Sequence, residues 1–249
     1  MKRFPLNGTR EFQTVLDECQ RLVLSEHPLV KSGALGNARG RWYEWLIALA
    51  AEEYFVSFKP ACRLIPLPNI NSFDCAHLYQ DEIAEIVTDL RAKVLSAGKV
   101  ALVTSNPDFV IVRKDRAKGP VTGTIKEKIE KIDHLYRDVA RTCFLDDILG
   151  YGAAKLSLRS DRRYQIPHEG SLFKALYRHI QTREWLINAR GIKYYALAMQ
   201  FTRKDLEALR TVATHSIVDV GSLPQRAVDE SFTIDGEAAL ATSLSQILN

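Results

Sequence analysis

The chain has 249 residues, of which 46% are hydrophobic and 26% charged, and it carries a net charge of +4 at pH 7. These values are typical of a globular protein with a sizeable core, and they exclude a disordered or collagen-like chain. The opening sequence MKRFPLNGTREFQ lacks the apolar segment of a secretion signal, and no apolar run approaches the roughly 18 residues of a membrane span. The weak positive charge permits an anionic partner without requiring one.

The four cysteines, Cys19, Cys62, Cys75 and Cys143, lie far apart and form no CxxC pair. This spacing indicates neither a zinc ribbon nor a disulfide framework. The grouping of Cys62, Cys75 and His77 also does not match the ligand spacing of small zinc sites. We therefore expect a reducing, cytoplasmic environment and no membrane contact.

The first hundred residues are predicted to be mainly helical, because their apolar residues recur at helical spacing. The predicted helices cover residues 7–24, 36–58 and 75–98. A cap near Thr9 and a stop at Gly98 support the ends of this region. The short sequence CRLIPLP, residues 62–68, reads as a strand ended by prolines.

Strands are concentrated in the rest of the chain. Apolar, often β-branched runs predict strands at residues 99–105, 108–114, 153–158, 192–201 and 215–220. Helical spacing predicts helices at residues 125–145, 168–187 and 203–214 and at the end of the chain. The helix at 168 is expected to begin after Pro167, a favoured place for a helix start. This order predicts an α/β fold with a mixed central β-sheet flanked by helices.

Four residues stand out as candidates for chemistry. Asp108 follows Pro107 at the start of a predicted strand, where it could also cap a turn. Lys155 lies in a strand pattern, although lysine is rarely buried unless it is paired. Glu169 lies near a predicted helix start, where the helix dipole alone could explain it. Glu44 lies in a mostly apolar helix and therefore needs a partner or a surface position.

The sequence RSDRR, residues 159–163, concentrates four charged side chains immediately after Lys155. An arginine fork matches the O6 and N7 atoms of guanine, and aspartate can accept a hydrogen bond from cytosine N4. An Arg–Asp–Arg set can therefore read adjacent G·C pairs. The alternative is a solvated turn whose charges pair with one another.

Taken together, these residues resemble a known motif. A Pro-Asp pair, a lysine, RSDR beginning four residues after that lysine and a glutamate fourteen residues after it resemble type II restriction endonucleases of the PD-(D/E)XK superfamily. Within that superfamily they resemble the enzymes that cut sites with a CCGG core, such as NgoMIV. These enzymes lack the usual acid two residues before the lysine, and a helix glutamate replaces it. Here Ala153 occupies the first position and Glu169 the second.

The resemblance implies a PD-(D/E)XK restriction-endonuclease-like fold and a catalytic set. Asp108, Glu169 and the accessory acid Glu44 would bind Mg²⁺. Lys155 would position or activate the attacking water. The implied reaction is hydrolysis of double-stranded DNA that leaves 5′-phosphates.

The resemblance also implies DNA-binding residues and an assembly. Arg159, Asp161 and Arg162 match the readers of the inner C:G pairs, Arg163 is the next candidate, and Tyr164 and Gln165 would support this segment or touch DNA. A palindromic site implies a homodimer, and relatives also form homotetramers. We expect residues 1–249 to form a single endonuclease domain. In it, residues 1–60 form a helical part with the accessory acid, 99–220 the catalytic and DNA-reading core, and 221–249 a C-terminal extension.

Two other functions fit part of the same pattern. A structure-specific or repair nuclease of the superfamily would share Asp108, Lys155 and Glu169 without needing the Arg–Asp–Arg set. A non-cleaving DNA-binding protein would use the arginine cluster and be indifferent to loss of Lys155. A third alternative is that the acids and the lysine never converge in the folded chain.

Overall fold

A computed structural model of the protein describes residues 11–70, 73–104, 106–187, 189–218 and 223–248. The helices are α1 (Phe12–Glu26), α2 (Ser32–Phe58), α3 (Asp81–Gly98), α4 (Ile125–Ile132), α5 (Ser160–Arg183), α6 (Arg203–Leu209), α7 (His215–Val218) and α8 (Glu237–Leu248). The strands are β1 (Cys62–Pro66), β2 (Phe109–Arg113), β3 (Ile148–Lys155), β4 (Lys193–Ala198) and β5 (Glu230–Thr233). The predicted cap at Thr9 lies outside the described residues.

The strands form one mixed sheet in the order β1-β2-β3-β4-β5. β1 pairs with β2 and β2 with β3 in antiparallel fashion, whereas β3 pairs with β4 and β4 with β5 in parallel fashion. Helices pack around this sheet, with α2 against β1 and β3 and α5 against β4. The predicted α/β fold with a mixed, helix-flanked sheet is confirmed.

The antiparallel pairing of β2 and β3 positions the candidate site. Asp108 immediately precedes β2, and Lys155 is the last residue of β3. Because the two strands run in opposite directions, the start of one and the end of the other lie at the same edge of the sheet. Phe109 pairs with Gly152, so the register places Asp108 beside the last residues of β3.

Two predicted strands are absent from the described residues. Residues 99–104 form no strand, and Val103 is 72% exposed. Both edges of β2 are already paired with β1 and β3, so this apolar run has no free edge beside β2. His215–Val218 forms the short helix α7 instead of a strand, and residues 219–220 lie outside the described part of the chain. Sequence reasoning missed β5, whose ESFT sequence carries little apolar signal.

Two predicted helices differ most from their expected limits. The helix expected at 125–145 ends at Ile132 and is followed by a 3-10 turn at Leu135–Asp138. The helix expected after Pro167 begins at Ser160, so that Pro167 lies inside it. The RSDRR cluster is therefore the N-cap and first turn of α5 and not a loop. Backbone N–H groups of Arg162 and Arg163 both donate to the Arg159 carbonyl, which closes that turn.

A single hydrophobic core draws residues from Phe12 near the start of the chain to Leu248 near its end. Within the core, Arg63 of β1 and Glu52 of α2 form a buried ion pair at 2.7 Å, with side chains 1% and 4% exposed. Glu52 also accepts the Val121 N–H, and Arg63 donates to the Lys118 carbonyl. This pair therefore ties β1, α2 and the 118–121 segment together. Among the described helices, none is long and apolar enough to cross a membrane.

Replacing Arg63 with Ala should lower the free energy of unfolding by about 3–5 kcal/mol, because the Glu52 carboxylate would stay buried without its cation. Urea denaturation followed by circular dichroism measures this change. The control is Arg113→Ala on the neighbouring strand, where the arginine is half-exposed and a loss of at most about 1 kcal/mol is expected. Equal effects of the two substitutions would contradict a structural role for the buried pair.

Candidate active site

The carboxylate of Asp108 is fixed by donors from the end of β3. Its Oδ2 atom accepts a hydrogen bond from Lys155 Nζ at 2.6 Å and another from the Ala154 N–H at 2.6 Å. The backbone carbonyl of Asp108 also accepts the Leu67 N–H at 2.9 Å. The sequence-predicted pair is therefore brought together, with Lys155 partnered by a carboxylate as a half-buried lysine requires.

Glu169 reaches the same region from α5 and is 5% exposed. Its Oε1 atom accepts a hydrogen bond from Gln165 Nε2 at 2.6 Å, and its Oε2 atom accepts one from the Tyr194 hydroxyl at 2.6 Å. Burial and the adjacent Glu169 charge hold the pKa of Tyr194 well above its ordinary value, so its phenol remains a donor. Glu169 is in the third turn of α5, and the helix dipole therefore does not explain it.

Close packing at Gly170 sets the position of that glutamate. A Cβ atom at Gly170 would lie 2.2 Å from the Ala227 carbonyl oxygen. Only glycine lets α5 approach this backbone so closely, and the approach seats the adjacent Glu169 beside β4.

A cleft of about 520 Å³ gathers the candidate residues. Its lining includes Asn106, Asp108, Lys155, Arg162, Gln165 and Glu169. Two proposed catalytic acids, the lysine and two proposed DNA-binding residues therefore face one cavity. This agrees with the expectation that Asp108, Glu169 and Lys155 lie at one site, whereas Glu44 is not among the residues that line the cleft.

Glu44 approaches from α2 and is held by arginine. Arg41 Nη1 donates to Glu44 Oε2 at 2.8 Å, and its Nη2 donates to Asp133 Oδ1 at 2.5 Å. Burial and the charge of Asp108 raise the pKa of Glu44, whereas Arg41 and Lys155 oppose that increase. Glu44 is not among the residues that line the cleft.

The proposed base readers on the first turn of α5 differ in their surroundings. Arg159 Nη2 donates to Asp161 Oδ2 at 3.2 Å, and both side chains are exposed. Tyr164 is 77% exposed. Arg162 donates to Gln165 inside the cleft. Exposed or cleft-facing donors remain accessible to a ligand, although Arg159 and Asp161 also show the mutual pairing expected of a charged turn.

Arg163 has a structural partner. Its Nε atom donates to Asp205, which is only 2% exposed and caps the start of α6. Burial opposes ionisation of Asp205, but the hydrogen bonds from Arg163 and Thr202 hold the pKa of its carboxyl below the ordinary value. Arg163 therefore anchors α5 to α6.

Comparisons with known proteins agree with this geometry. A family model described as Cfr10I/Bse634I restriction endonuclease matches residues 6–249. The type II restriction enzyme Cfr10I of Citrobacter freundii is 40% identical over 253 residues, which cover 98% of this chain and 86% of that enzyme.

Solved structures give the same result. The crystal structure of the type IIF restriction endonuclease Bse634I with cognate DNA has a TM-score of 0.88 at 33% identity, covering 97% of this chain and 88% of Bse634I. A second Bse634I structure has a TM-score of 0.87 at 33% identity, with 96% and 86% coverage. The chain belongs to the Cfr10I/Bse634I restriction endonuclease family. It is a type II restriction endonuclease, a hydrolase that acts on DNA.

The comparisons support this family and do not support the narrower NgoMIV-like assignment.

Restriction endonucleases generally depend on a divalent metal ion. The oxygen donors of Asp108, Glu169 and Glu44 suit Mg²⁺. However, no three His, Cys, Asp or Glu side chains in the described ranges are grouped to hold a metal. The donor chemistry of these side chains therefore fits the ion, which usually binds one or two carboxylates and keeps several waters.

Sequence reasoning did not identify several residues of this Cfr10I/Bse634I-type site. Tyr194 was part of a strand pattern, and its contact with Glu169 depends on the parallel pairing of β3 with β4. Asn106, which lines the cleft, was not singled out; its Nδ2 atom donates to the Phe73 carbonyl at 2.7 Å. Arg41 precedes Glu44 by three residues, which is one helical turn, and this spacing could have predicted their pairing.

Glu44 should titrate above an ordinary glutamate, and Arg41→Met should raise its pKa further. The reason is that Arg41 favours the ionised carboxylate, so its loss leaves burial and Asp108 less opposed. Carbon-detected NMR of the side-chain carboxyl signals measures both values. Arg203→Met, which removes the surface partner of Glu207, is the control and should leave Glu44 unchanged. A lower pKa for Glu44 in Arg41→Met would contradict this electrostatic assignment.

Proposed function

We propose that this restriction endonuclease hydrolyses double-stranded DNA with Mg²⁺ at a short palindrome that has a G/C-rich, CCGG-like core, and that it leaves 5′-phosphates. The observation that carries the proposal is the shared cleft of Asp108, Lys155 and Glu169 with Arg162 and Gln165. The reading of bases and the hydrolysis of a phosphodiester are thereby assigned to adjoining parts of one cavity.

The protein side chains have separate parts in the proposed reaction. Mg²⁺ held by Asp108, Glu169 and Glu44 would supply Lewis-acid chemistry at the scissile phosphate. Lys155 has three N–H donors, of which one reaches Asp108, and the others can orient the attacking water. Its fixed positive charge also stabilises the negative charge that develops in the phosphorane-like transition state.

Recognition is assigned to the first turn of α5. Arg159, Asp161 and Arg162 read the inner C:G pairs, and Tyr164 and Gln165 support that turn or contact DNA. The N-terminal end of a helix can enter the major groove, where guanine offers the O6 and N7 acceptors that an arginine fork matches. The structural relative Bse634I has been solved with cognate DNA. Arg163, which is bound to Asp205, contributes by holding the turn in place or through a phosphate contact.

The proposal includes an assembly and a location. A palindromic site is read by two-fold related subunits, so the working form is a homodimer or a homotetramer. Each subunit uses its residues 1–249 as one endonuclease domain. The enzyme acts in the cytoplasm, where its cysteines stay reduced.

Digestion of a sequenced plasmid with Mg²⁺, followed by mapping of the fragment ends, tests the activity. Discrete fragments with 5′-phosphates at one palindrome are expected. A smear, or cleavage at branched or damaged structures only, would instead favour a repair nuclease. Binding without cleavage would favour a DNA-binding protein.

Lys155→Ala should reduce the cleavage rate by at least about 10²-fold, because a fixed charge is lost at the transition state. Gel-shift assays should show site binding within a few-fold of that of the original protein. Lys193→Ala is the matched control, because Lys193 lies at the opposite end of the parallel strand β4. Full cleavage activity in Lys155→Ala would refute the assigned catalytic role.

Arg162→Ala and Arg163→Ala should have different effects. Loss of Arg162 should cost about 1–3 kcal/mol of discrimination at one base pair, because a bidentate guanine contact disappears. Loss of Arg163 should mainly lower thermal stability, because Asp205 would remain buried without its cation. Binding to duplexes with single base-pair changes, together with thermal denaturation, separates these outcomes. A loss of base-pair discrimination in Arg163→Ala, together with a loss of thermal stability in Arg162→Ala, would contradict this assignment.

A further inference from the structure

A continuous run of hydrogen bonds connects the proposed base reader to the proposed metal ligand. Arg162 Nη1 donates to Gln165 Oε1 at 2.5 Å, and Gln165 Nε2 donates to Glu169 Oε1 at 2.6 Å. The three residues lie three and four positions apart on α5, so they share one face of the helix. That face lines the cleft.

The chemistry of the amide fixes the direction of this run. Arginine can only donate hydrogen bonds, so Gln165 must present its carbonyl oxygen to Arg162. Its amino group then faces Glu169, whose ionised carboxylate can only accept. No other neutral side chain of this length offers one acceptor and one donor in this way. The orientation of Gln165 therefore depends on Arg162.

In this arrangement both ends of the run are occupied by protein contacts. Glu169 Oε1 is engaged by Gln165, and Oε2 is engaged by Tyr194. Arg162 directs one N–H of its fork at Gln165 instead of outward. A metal ion at Glu169 and a guanine at Arg162 would each compete with these contacts.

We propose that Gln165 is a positioning residue that couples base reading to metal binding. When Arg162 turns to a guanine, Gln165 loses the partner that orients its amide, and Glu169 Oε1 becomes available to a cation. DNA of the correct sequence and the cation then both favour the arrangement in which these hydrogen bonds are released. The binding of each therefore strengthens the binding of the other. This inference rests on the proposed function, because it takes Arg162 as a base reader.

The test compares the chain with Gln165→Met, which keeps length and helix propensity but removes both hydrogen bonds, and with Gln165→Ala as a second variant. Fluorescence anisotropy measures affinity for a duplex carrying the mapped palindrome and for a scrambled duplex, each with and without Ca²⁺. This cation takes oxygen ligands as Mg²⁺ does. Electrophoresis of the recovered duplexes confirms that they remain uncut.

In the original protein, Ca²⁺ should strengthen binding to the palindrome about tenfold more than binding to the scrambled duplex, a value within the usual range of coupled sites. In both Gln165 variants, Ca²⁺ should strengthen binding to the two duplexes to the same extent within twofold, so that the palindrome-specific excess is lost. Calorimetry without DNA should show tighter Ca²⁺ binding to the variants, since Glu169 Oε1 is already free. A variant that acts only through packing would lose stability and leave the excess unchanged.

Tyr194→Phe is the matched control. It frees the other Glu169 oxygen without touching Arg162, so the palindrome-specific excess should persist. Retention of the full excess in Gln165→Met and Gln165→Ala overturns the coupling role while leaving the proposed function intact. If the original protein shows no preference for any palindrome, the proposed function fails first, and the coupling fails with it.

Discussion

The pairing of β2 with β3 is the constraint on which the site depends. Antiparallel strands place the start of one next to the end of the other. Asp108, just before β2, therefore lies beside Lys155 at the end of β3, which donates a hydrogen bond to its carboxylate. The Ala154 N–H adds a backbone donor to the same carboxylate oxygen. The acid and the lysine are thus held by the sheet itself, and any change in register would separate them.

Helix α5 supplies the remaining parts of the site from one rigid element. Its first turn carries the proposed base readers, and its third turn carries Glu169. Several contacts fix the helix on the protein; among them, Arg163 binds Asp205 of α6, and Gly170 lies directly against the Ala227 carbonyl. The distance between the proposed base readers and Glu169 is therefore set by helix geometry, which does not vary as a loop would.

Sequence reasoning predicted the parts of this structure that depend on local patterns. The apolar run after Asp108 predicted β2, and the motif formed by Asp108, Lys155 and Glu169 predicted the residues that meet in the cleft. It was wrong where tertiary context decides, as with residues 99–104, which find no free edge beside β2. It also treated Pro167 as a helix start, although α5 begins two turns earlier. Contacts such as Tyr194 with Glu169 arise from strand pairing and carry no local signal.

The position of the second acid has a physical consequence. Residues 153 and 155 lie on the same face of β3, so an acid at 153 would stand beside Lys155 independently of any helix. Ala153 is 2% exposed and provides no ligand, and Glu169 is brought to the cleft by α5 instead. A strand-borne acid would be fixed whenever the sheet is formed. A helix-borne acid is placed instead by the packing of α5, so Glu169 and the proposed base readers share one rigid element.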